Sequence, residues 1–326
     1  MSETSELRSL KLRADLVLVA VTFVWGSSFI VIKNVLRDAP PLAFLSLRFS
    51  LAALLILLAL PRRPPTPSFL RDGIAVGLLL GLGMSLQVIG QVDTTASNAA
   101  FLTGLSVVLT PFAAYLRTRR LPSLENGLGI VLASAGFLLL TFPKEGVPLR
   151  RGDLFVAASS VLFAFFIVEL AERAPAHNAA RLACVELATV GVIAACLSLL
   201  LRWVMPAELA ATLGESRLLP RSSQFLWSLL YLASIGTVGS FVGQTWSQRH
   251  MSATHAAIIF ALEPVFAAIL AGWFLQERLG PRGFAGGGLV LIGIVVSELR
   301  LRRAGKGIGD GGNPERDPQT ATNVSK

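Results

Sequence analysis

Apolar residues in this chain are grouped in long runs, and short polar segments separate one run from the next. The runs show neither the alternation of a half-buried strand nor the apolar stripe of a surface helix. A helix needs about 20 residues to cross the hydrocarbon core of a bilayer. Ten runs have about this length, which predicts an all-α integral membrane protein. The predicted membrane-spanning helices cover residues 15–33, 41–60, 73–91, 96–116, 124–142, 153–171, 181–202, 224–247, 253–275 and 283–301.

The composition supports this class. Of 326 residues, 53% are hydrophobic and 15% are charged, with a mean hydropathy of +0.65, whereas soluble domains carry roughly 25% charged residues. The net charge of +9 could also indicate a nucleic-acid-binding protein. Most Lys and Arg, however, lie at the ends of apolar runs, where such residues orient membrane helices. We therefore expect the lipid bilayer as surroundings and no nucleic-acid partner.

Residue types that carry cofactors or catalysis are sparse. Cys184 and Cys196 lie in one apolar run and would be about 18 Å apart along a helix, which is too far for a disulfide. His177, His250 and His255 form no HExxH motif, and the sequence has no nucleotide-binding P-loop. The sequence therefore predicts no metal site, no cofactor and no catalytic residue, and the protein is not expected to be an enzyme.

The distribution of Lys and Arg predicts the orientation. With the N-terminus inside, the inner segments hold sixteen of these residues and the outer loops hold ten. Cytoplasmic loops of membrane proteins carry the excess of Lys and Arg. The prediction is a multi-pass protein of the cell (inner) membrane with both termini cytoplasmic, including an N-terminal segment at 1–14 and a disordered tail at 302–326.

Two sequence shifts indicate an internal repeat. A shift of 138 residues places Trp25 on Phe163, and a shift of 157 residues places Gly136 on Gly293. Each half then holds five helices, and because five is odd, the halves enter the membrane from opposite sides. Such inverted repeats are typical of transporters that bind substrate near the midplane. The predicted units are a first repeat at 15–142, an inter-repeat loop at 143–152 and a second repeat at 153–301.

The ninth predicted helix carries an acid beside a proline, Glu263-Pro264, near its middle. A carboxylate at this depth costs roughly 2.5–3.5 kcal/mol on insertion scales unless it faces protein or a water-filled cavity. Pro264 lacks a backbone N–H and frees a carbonyl at the same depth. The favoured interpretation is a functional cavity, and the alternative is a structural kink with a satisfied or protonated acid.

Other polar and aromatic side chains inside the predicted helices extend this candidate site, because each polar group must find a partner without bulk water. Amides, an imidazole and aromatic rings could hold a zwitterion or a planar cation. Asn98 and His255 could instead cap their helices or lie at the membrane interface, and Gln87 and Gln91 could instead bond to other helices. The predicted substrate-binding residues are Trp25, Ser28, Gln87, Gln91, Asn98, Phe101, Phe163, Gln244, His255 and Glu263, with Gly26 and Pro264 predicted to permit bending.

Two further charged residues lie inside predicted helices. The 138-residue shift relates Arg48 to Glu186, but inverted repeats put equivalent positions at opposite depths, so no ion pair between them is predicted. Arg48 is expected to extend to the interface or to bind carbonyl groups. Glu186 is expected to pair with Arg181.

Several motifs resemble the EamA family of the drug/metabolite transporter superfamily. They are Trp25-Gly-Ser-Ser-Phe29, Pro41 with Arg48-Phe49, and Leu262-Glu-Pro-Val-Phe266 through Gln276-Glu-Arg-Leu279. The resemblance implies ten helices in two inverted five-helix repeats and a central cavity lined mainly by helices 1, 3, 4, 6, 8 and 9. It also implies export of amino acids or other small metabolites. The first half departs from the pattern, because Thr118-Arg-Arg-Leu121 stands where the second half has an acid.

The sequence thus predicts a secondary transporter that exports small metabolites, amino acids or related compounds and drugs among them, by alternating access. Its predicted partners are the bilayer and a small-molecule substrate, and no oligomeric state is predicted. Two alternatives remain open. One is a polytopic protein without transport activity, such as an embedded enzyme or receptor. The other is a transporter of a nucleotide- or lipid-linked substrate, which would need a large basic cavity.

Overall fold

The computed structural model describes residues 3–61, 66–119, 123–141, 150–274, 281 and 285–296, and every regular element in these ranges is a helix. The helices are Glu3–Val35 (α1), Pro41–Ala59 (α2), Pro67–Asp93 (α3), Ala96–Thr118 (α4), Leu124–Thr141 (α5), Arg151–Arg173 (α6), Ala179–Trp203 (α7), Ala207–Thr212 (α8), Ser223–Ala233 (α9), Ser240–Gln248 (α10), Ala253–Phe260 (α11), Leu262–Phe274 (α12) and Ala285–Val296 (α13). A 3₁₀ turn, Ala174–Ala176, follows α6, and a π-helical turn, Ser234–Gly239, joins α9 to α10.

Seven helical segments of the described chain are long and apolar enough to cross a membrane, as judged by length and composition. They correspond to α1, α2, α3, α4, α6, α7 and the continuous segment from α9 through α10. Large apolar side chains such as Leu58 and Trp227 are 76% and 72% exposed, as expected of a surface that contacts lipid. The predicted all-helical membrane class therefore agrees with the structure.

Part of the prediction falls on residues outside the described ranges. The other three predicted spans, 124–142, 253–275 and 283–301, each extend into them, as does the 143–152 loop, and the tail at 302–326 lies entirely within them. The count of ten spans therefore stays a prediction. The first helix differs from the prediction, because it begins at Glu3 rather than at residue 15.

Hydroxyl and amide side chains set where several helices begin. Thr66, Thr95, Asn178, Ser222 and Ser252 each accept a hydrogen bond from the backbone N–H three residues further on, which satisfies a donor that the first helical turn leaves free. The 157-residue shift relates Thr95 to Ser252. Helices α4 and α11 therefore begin at equivalent positions of the two halves and with the same cap.

Two of the predicted continuous helices are interrupted. The helix predicted at 224–247 contains the π-helical turn, where Thr237 Oγ1 donates to Leu232 O at 2.7 Å. The helix predicted at 253–275 breaks at Ala261, between α11 and α12. Pro264 explains this break, because it has no N–H for the carbonyl of Phe260 and its ring crowds that carbonyl.

Helices of the first half pack mainly against helices of the second half. Helix α3 lies against α6 and α7, α2 against α7, α4 against α6 and α11, and α1 against α10 and α12. The α3–α6 crossing is very close, because a Cβ added to Gly90 or to Gly152 would collide with the carbonyl oxygen of the other glycine. This packing leaves a cavity between the two halves.

Candidate functional site

The central cavity has a volume of about 80 Å³, which is room for a few water molecules. Its wall is formed by α1, α2, α3, α4, α6, α10, α11 and α12, so it includes the six helices that the family resemblance implies, together with α2. The lining residues are Trp25, Ser28, Phe29, Ile32, Arg48, Leu80, Met84, Gln87, Thr103, Ser106, Phe163, Phe166, Ile167, Phe241, Gln244, Phe260 and Glu263.

Six of the ten predicted substrate-binding residues lie on this wall, and four do not. Those on the wall are Trp25, Ser28, Gln87, Phe163, Gln244 and Glu263. Helical spacing explains part of this grouping, since Trp25 and Ser28 share one face of α1. The structure thus brings together residues from α1, α3, α6, α10 and α12 that are far apart in sequence.

The four other predicted residues, Gln91, Asn98, Phe101 and His255, lie outside the cavity lining. Asn98 and His255 stand in the first turns of α4 and α11, where their backbone N–H groups donate to Thr95 and Ser252. Thr95 and Ser252, rather than Asn98 and His255, therefore cap these helices.

Two of these four residues join helices at the ends of the bundle. His255 Nε2 also lies 3.0 Å from Asp15 Oδ1, so it joins α11 to α1. The backbone carbonyl of Gln91 accepts a hydrogen bond from Lys33 Nζ at 2.7 Å, which joins α3 to α1. Phe101 is half-buried on α4.

Aromatic rings form the apolar part of the wall. The Trp25 ring centroid lies 5.4 Å from that of Phe241 and 5.5 Å from that of Phe260. Phe49 lies behind Phe241 at 5.8 Å. Ring pairs at these distances attract each other beyond their area of contact, so this side of the cavity has a defined shape.

The two glutamines of the cavity make ordered hydrogen bonds. Gln87 Nε2 donates to Thr103 Oγ1 at 2.8 Å and joins α3 to α4. Gln244 Nε2 donates to Gln248 Oε1 at 3.0 Å, and Gln248 Nε2 donates to the carbonyl of Ile167 at 3.0 Å. The buried Gln244 Oε1 has no hydrogen-bond partner among the described residues. An acceptor of this kind is available to a donor group of a bound solute.

Glu263 lies at the cavity with 9% of its surface exposed. No hydrogen bond or ion pair to a described residue satisfies its carboxyl group. Gly26 lets α1 approach this point, because a Cβ there would be 3.0 Å from the Glu263 carbonyl oxygen and 3.0 Å from Ala267 N. Pro264 is buried beside it. The acid and its proline therefore lie against the close contact of α1 with α12.

Arg48 is a lining residue that the sequence prediction does not include. Its Nε donates to Thr237 Oγ1 at 2.7 Å, and its Nη2 donates to the carbonyl of Gly236 at 3.1 Å. The predicted binding of a carbonyl group is thus confirmed. The acceptors belong to the π-helical turn, which no pattern in the sequence predicts.

The predicted pairing of Glu186 is wrong. Glu186 is fully buried in α7, and neither of its carboxyl oxygens has a hydrogen-bond partner among the described residues. Arg181 is one helical turn away and lies over the ring of Phe69 at 5.4 Å. The acid points into the bundle, whereas the arginine packs on an aromatic ring at the end of α3.

Most lining residues form pairs that the two sequence shifts relate. The 138-residue shift relates Trp25 to Phe163, Ser28 to Phe166 and Phe29 to Ile167, and the 157-residue shift relates Met84 to Phe241, Gln87 to Gln244, Thr103 to Phe260 and Ser106 to Glu263. The same shifts, applied to the predicted residues, would have identified Phe166 and Ser106. The two halves thus contribute equivalent positions with different chemistry.

Comparison with known proteins agrees with the fold. "Uncharacterized transporter" of Archaeoglobus fulgidus is 28% identical over 291 residues, covering 89% of this chain and 87% of the relative. "Uncharacterized transporter YoaV" of Bacillus subtilis is 24% identical (88% and 97% covered), and "Uncharacterized inner membrane transporter YedA" of Escherichia coli K12 is 24% identical (86% and 89% covered).

A solved crystal structure matches with a TM-score of 0.68 at 15% identity, covering 89% of this chain and 99% of the other. At this identity the match supports the fold alone. The model of the EamA-like transporter family matches the chain twice, over residues 12–142 and 150–299. The two matches together cover almost all of the sequence outside the tail. The chain therefore belongs to the EamA-like transporter family.

Proposed function

We propose that this protein is a secondary transporter that moves a small metabolite, such as an amino acid or a related compound, across the inner membrane by alternating access. In this proposal ten helices form two inverted five-helix repeats with both termini in the cytoplasm. Motion of one repeat against the other exposes the cavity to each side of the membrane in turn. The protein is not an enzyme in this proposal, and the solute leaves unchanged.

The observation that carries the proposal is the composition of the cavity wall. Seven pairs of lining residues are related by the two repeat shifts, so each half supplies an equivalent surface to one site. A site between two related halves becomes accessible to either side when the halves exchange conformations. The small volume and single arginine of the wall favour a small solute over a nucleotide- or lipid-linked one.

Within this mechanism Trp25, Phe163 and the two glutamines, Gln87 and Gln244, shape and bind the solute. Glu263 is the acid that binds a cationic group or carries a coupling proton. Its equivalent in the first half is Ser106, which cannot exchange a proton at physiological pH. The second half of the chain therefore contributes an acid to the site, whereas the equivalent position of the first half does not.

The test is counterflow into proteoliposomes with labelled amino acids and a few organic cations. We expect saturable accumulation of one class of solute by the wild type. If Glu263 couples transport to protons, Glu263→Gln abolishes gradient-driven uptake and retains counterflow. Glu208→Gln, which removes an exposed acid from α8, is the matched control and retains both.

The outcomes of this test distinguish the possible roles of Glu263. Loss of both gradient-driven uptake and counterflow in folded Glu263→Gln would assign the acid to substrate binding or to structure rather than to coupling. Absence of flux for every solute, with wild-type protein shown to be folded and inserted, would contradict transport of these classes and favour the non-transport alternative.

A further inference from the structure

We propose that the cavity binds its solute through a carboxylate, and that Arg48, held by the π-helical turn, is the residue that binds this group. The inference rests on the proposed transport function and specifies the chemistry of the same site. It assigns to α2 and to the turn between α9 and α10 a direct part in recognition.

The charge of Arg48 is buried without a protein anion beside it. The residue is 4% exposed and lines the cavity. None of the ion pairs in the described part of the chain includes it, and Glu263, on the same wall, is not within ion-pair distance. Besides two hydrogen bonds to neutral acceptors, the guanidinium lies over the face of Phe49, whose ring centroid is 5.3 Å from Cζ. A buried cation without an anionic partner is costly, and a bound anion supplies such a partner.

The guanidinium group of Arg48 has further N–H donors that can bind such an anion. It has five N–H donors in a planar fork, and the hydrogen bonds to Thr237 and Gly236 use Nε and Nη2. Nη1 has no hydrogen-bond acceptor among the described residues. The fork matches a carboxylate in shape, and such charge-assisted pairs are among the strongest hydrogen bonds in proteins.

The π-helical turn fixes the orientation of the fork. Single π turns are rare inside α-helices, and those that occur are often found at functional sites. Thr237 Oγ1 accepts from Arg48 Nε and donates to Leu232 O, so its position is set from both sides. A Cβ added to Gly236 would be 3.4 Å from Ser28 Oγ and 3.6 Å from Arg48 Nη2. The turn thus presents Arg48 beside Ser28, a second lining residue.

The rest of the wall suits the remainder of such a solute. The ring of Trp25 packs against those of Phe241 and Phe260 along the cavity. A solute that places its carboxylate at Arg48 can therefore place an apolar body on these rings. The predicted solute is a small carboxylate with an apolar or aromatic side group.

The test compares acids with amides of almost the same shape. The probes are L-phenylalanine and L-phenylalaninamide, L-leucine and L-leucinamide, and 4-methylpentanoate and 4-methylpentanamide, measured by counterflow into proteoliposomes. In the wild type we expect the acid of at least one pair to be carried about 10- to 100-fold better than its amide, the size expected for a hydrogen-bonded charge pair.

Variants identify the residue responsible. Arg48→Gln is expected to bring the acid-to-amide ratio to about one. Thr237→Val removes the acceptor of Arg48 Nε but retains the charge, and a smaller fall in the ratio is expected. Arg221→Gln, at an exposed arginine before α9, is the control and leaves the ratio unchanged.

The wild-type ratio decides the inference even if Arg48→Gln does not fold. Equal or better transport of the amides by the wild type overturns the carboxylate site and leaves the transport function standing. A strong acid preference that folded Arg48→Gln retains overturns the assignment to Arg48. No flux of any probe or of the wider solute panel overturns the transport function, and the inference with it.

Discussion

At the scale of single residues, the described structure contains buried oxygens that lack hydrogen-bond partners. Gln244 Oε1 is one of them and lies on a residue of the cavity wall, where a solute can bond to it. Glu186 is different, because it lies outside the cavity lining and both of its oxygens are unsatisfied. Helix α3 packs against α7 beside Glu186, and a Cβ added to Gly77 of α3 would be 2.8 Å from the backbone carbonyl oxygen of Glu186. Helices α3 and α7 are therefore in close contact at the level of Glu186.

The first prediction concerns this acid. Replacing Glu186 by Met, which has a similar volume and no polar oxygen, should stabilise the protein, because an unsatisfied buried polar group costs about 1–3 kcal/mol. Thermal unfolding of detergent-solubilised protein measures the effect, with Glu208→Gln as the surface control. A lower midpoint for Glu186→Met would contradict the prediction and show that the acid has a partner in the folded protein.

The sequence predicts cavity-lining side chains best where depth in the membrane and helical spacing determine which residues face the cavity. Trp25, Gln87 and Glu263 lie away from the ends of the helices predicted from the sequence, and all three line the cavity. The prediction does less well at helix ends, where His255 is used in the first turn of α11 and in its hydrogen bond to Asp15. Hydrophobicity alone does not distinguish these two uses of a polar side chain.

At the scale of helices, glycines determine how closely the bundle packs. Gly136 on α5 faces α13, and a Cβ there would be 2.5 Å from Gly286 O and 2.7 Å from Val290 N. Gly293 on α13 faces α5, and its Cβ would be 2.7 Å from Gly129 O. The 157-residue shift relates Gly136 to Gly293 and Gly129 to Gly286. At the crossing of α5 with α13, each helix therefore contributes an equivalent pair of glycines.

The second prediction follows from this crossing. Gly136→Ala should destabilise the protein by about 1–3 kcal/mol, because the added methyl group meets backbone atoms that cannot move aside locally. Gly127→Ala, on the same helix, is the control, since among the described residues no atom outside the adjoining helix backbone lies within 4 Å of its added Cβ. This control should be neutral or more stable by about 0.5–1 kcal/mol, as expected for Ala over Gly inside a helix. Equal effects of the two changes on the thermal midpoint would contradict the close crossing.

The sequence predicts helices well because long apolar runs have one stable form in a bilayer, where backbone groups must bond within the helix. It predicts interruptions only where a residue forces them. Pro264 does so, and the break at Ala261 lies just before it. The turn at Ser234–Gly239 contains no proline. Two of its acceptors, Thr237 Oγ1 and the Gly236 carbonyl, bind Arg48 of another helix, and a local sequence pattern does not show such a tertiary contact.

At the scale of the whole molecule, hydrogen bonds tie the ends of α6 to neighbouring helices. At its start, Asp153 accepts from Thr94, which precedes α4, and from Arg150 N at 2.8 Å. At its end, Arg173 donates to Asp72 of α3 at 2.6 Å. Helix α6 is thus fixed at both ends to the helices that it contacts most. In the proposed mechanism, motion of one half against the other acts on these contacts at the ends of α6.

The third prediction tests the orientation of the bundle. In a background with Cys184→Ala and Cys196→Ala, single cysteines are introduced as Ser216→Cys and Ser68→Cys, both at exposed positions. We expect a membrane-impermeant maleimide to label Ser216→Cys in intact cells and Ser68→Cys only after permeabilisation, because the excess of Lys and Arg places α3 with its start in the cytoplasm. The reverse pattern would contradict this orientation.

The π-helical turn also sets the rotational phase between α9 and α10. Such a turn contains one residue more than an α-helix of the same rise, and one residue corresponds to about 100° around the axis. Deleting Ile235 would let an unbroken α-helix form and rotate Phe241 and Gln244 away from the cavity. Ile235 itself is 53% exposed, so Ile235→Ala should retain counterflow while the deletion abolishes it. The alignment of α10 with the site is thus encoded in the number of residues, independently of which side chains line it.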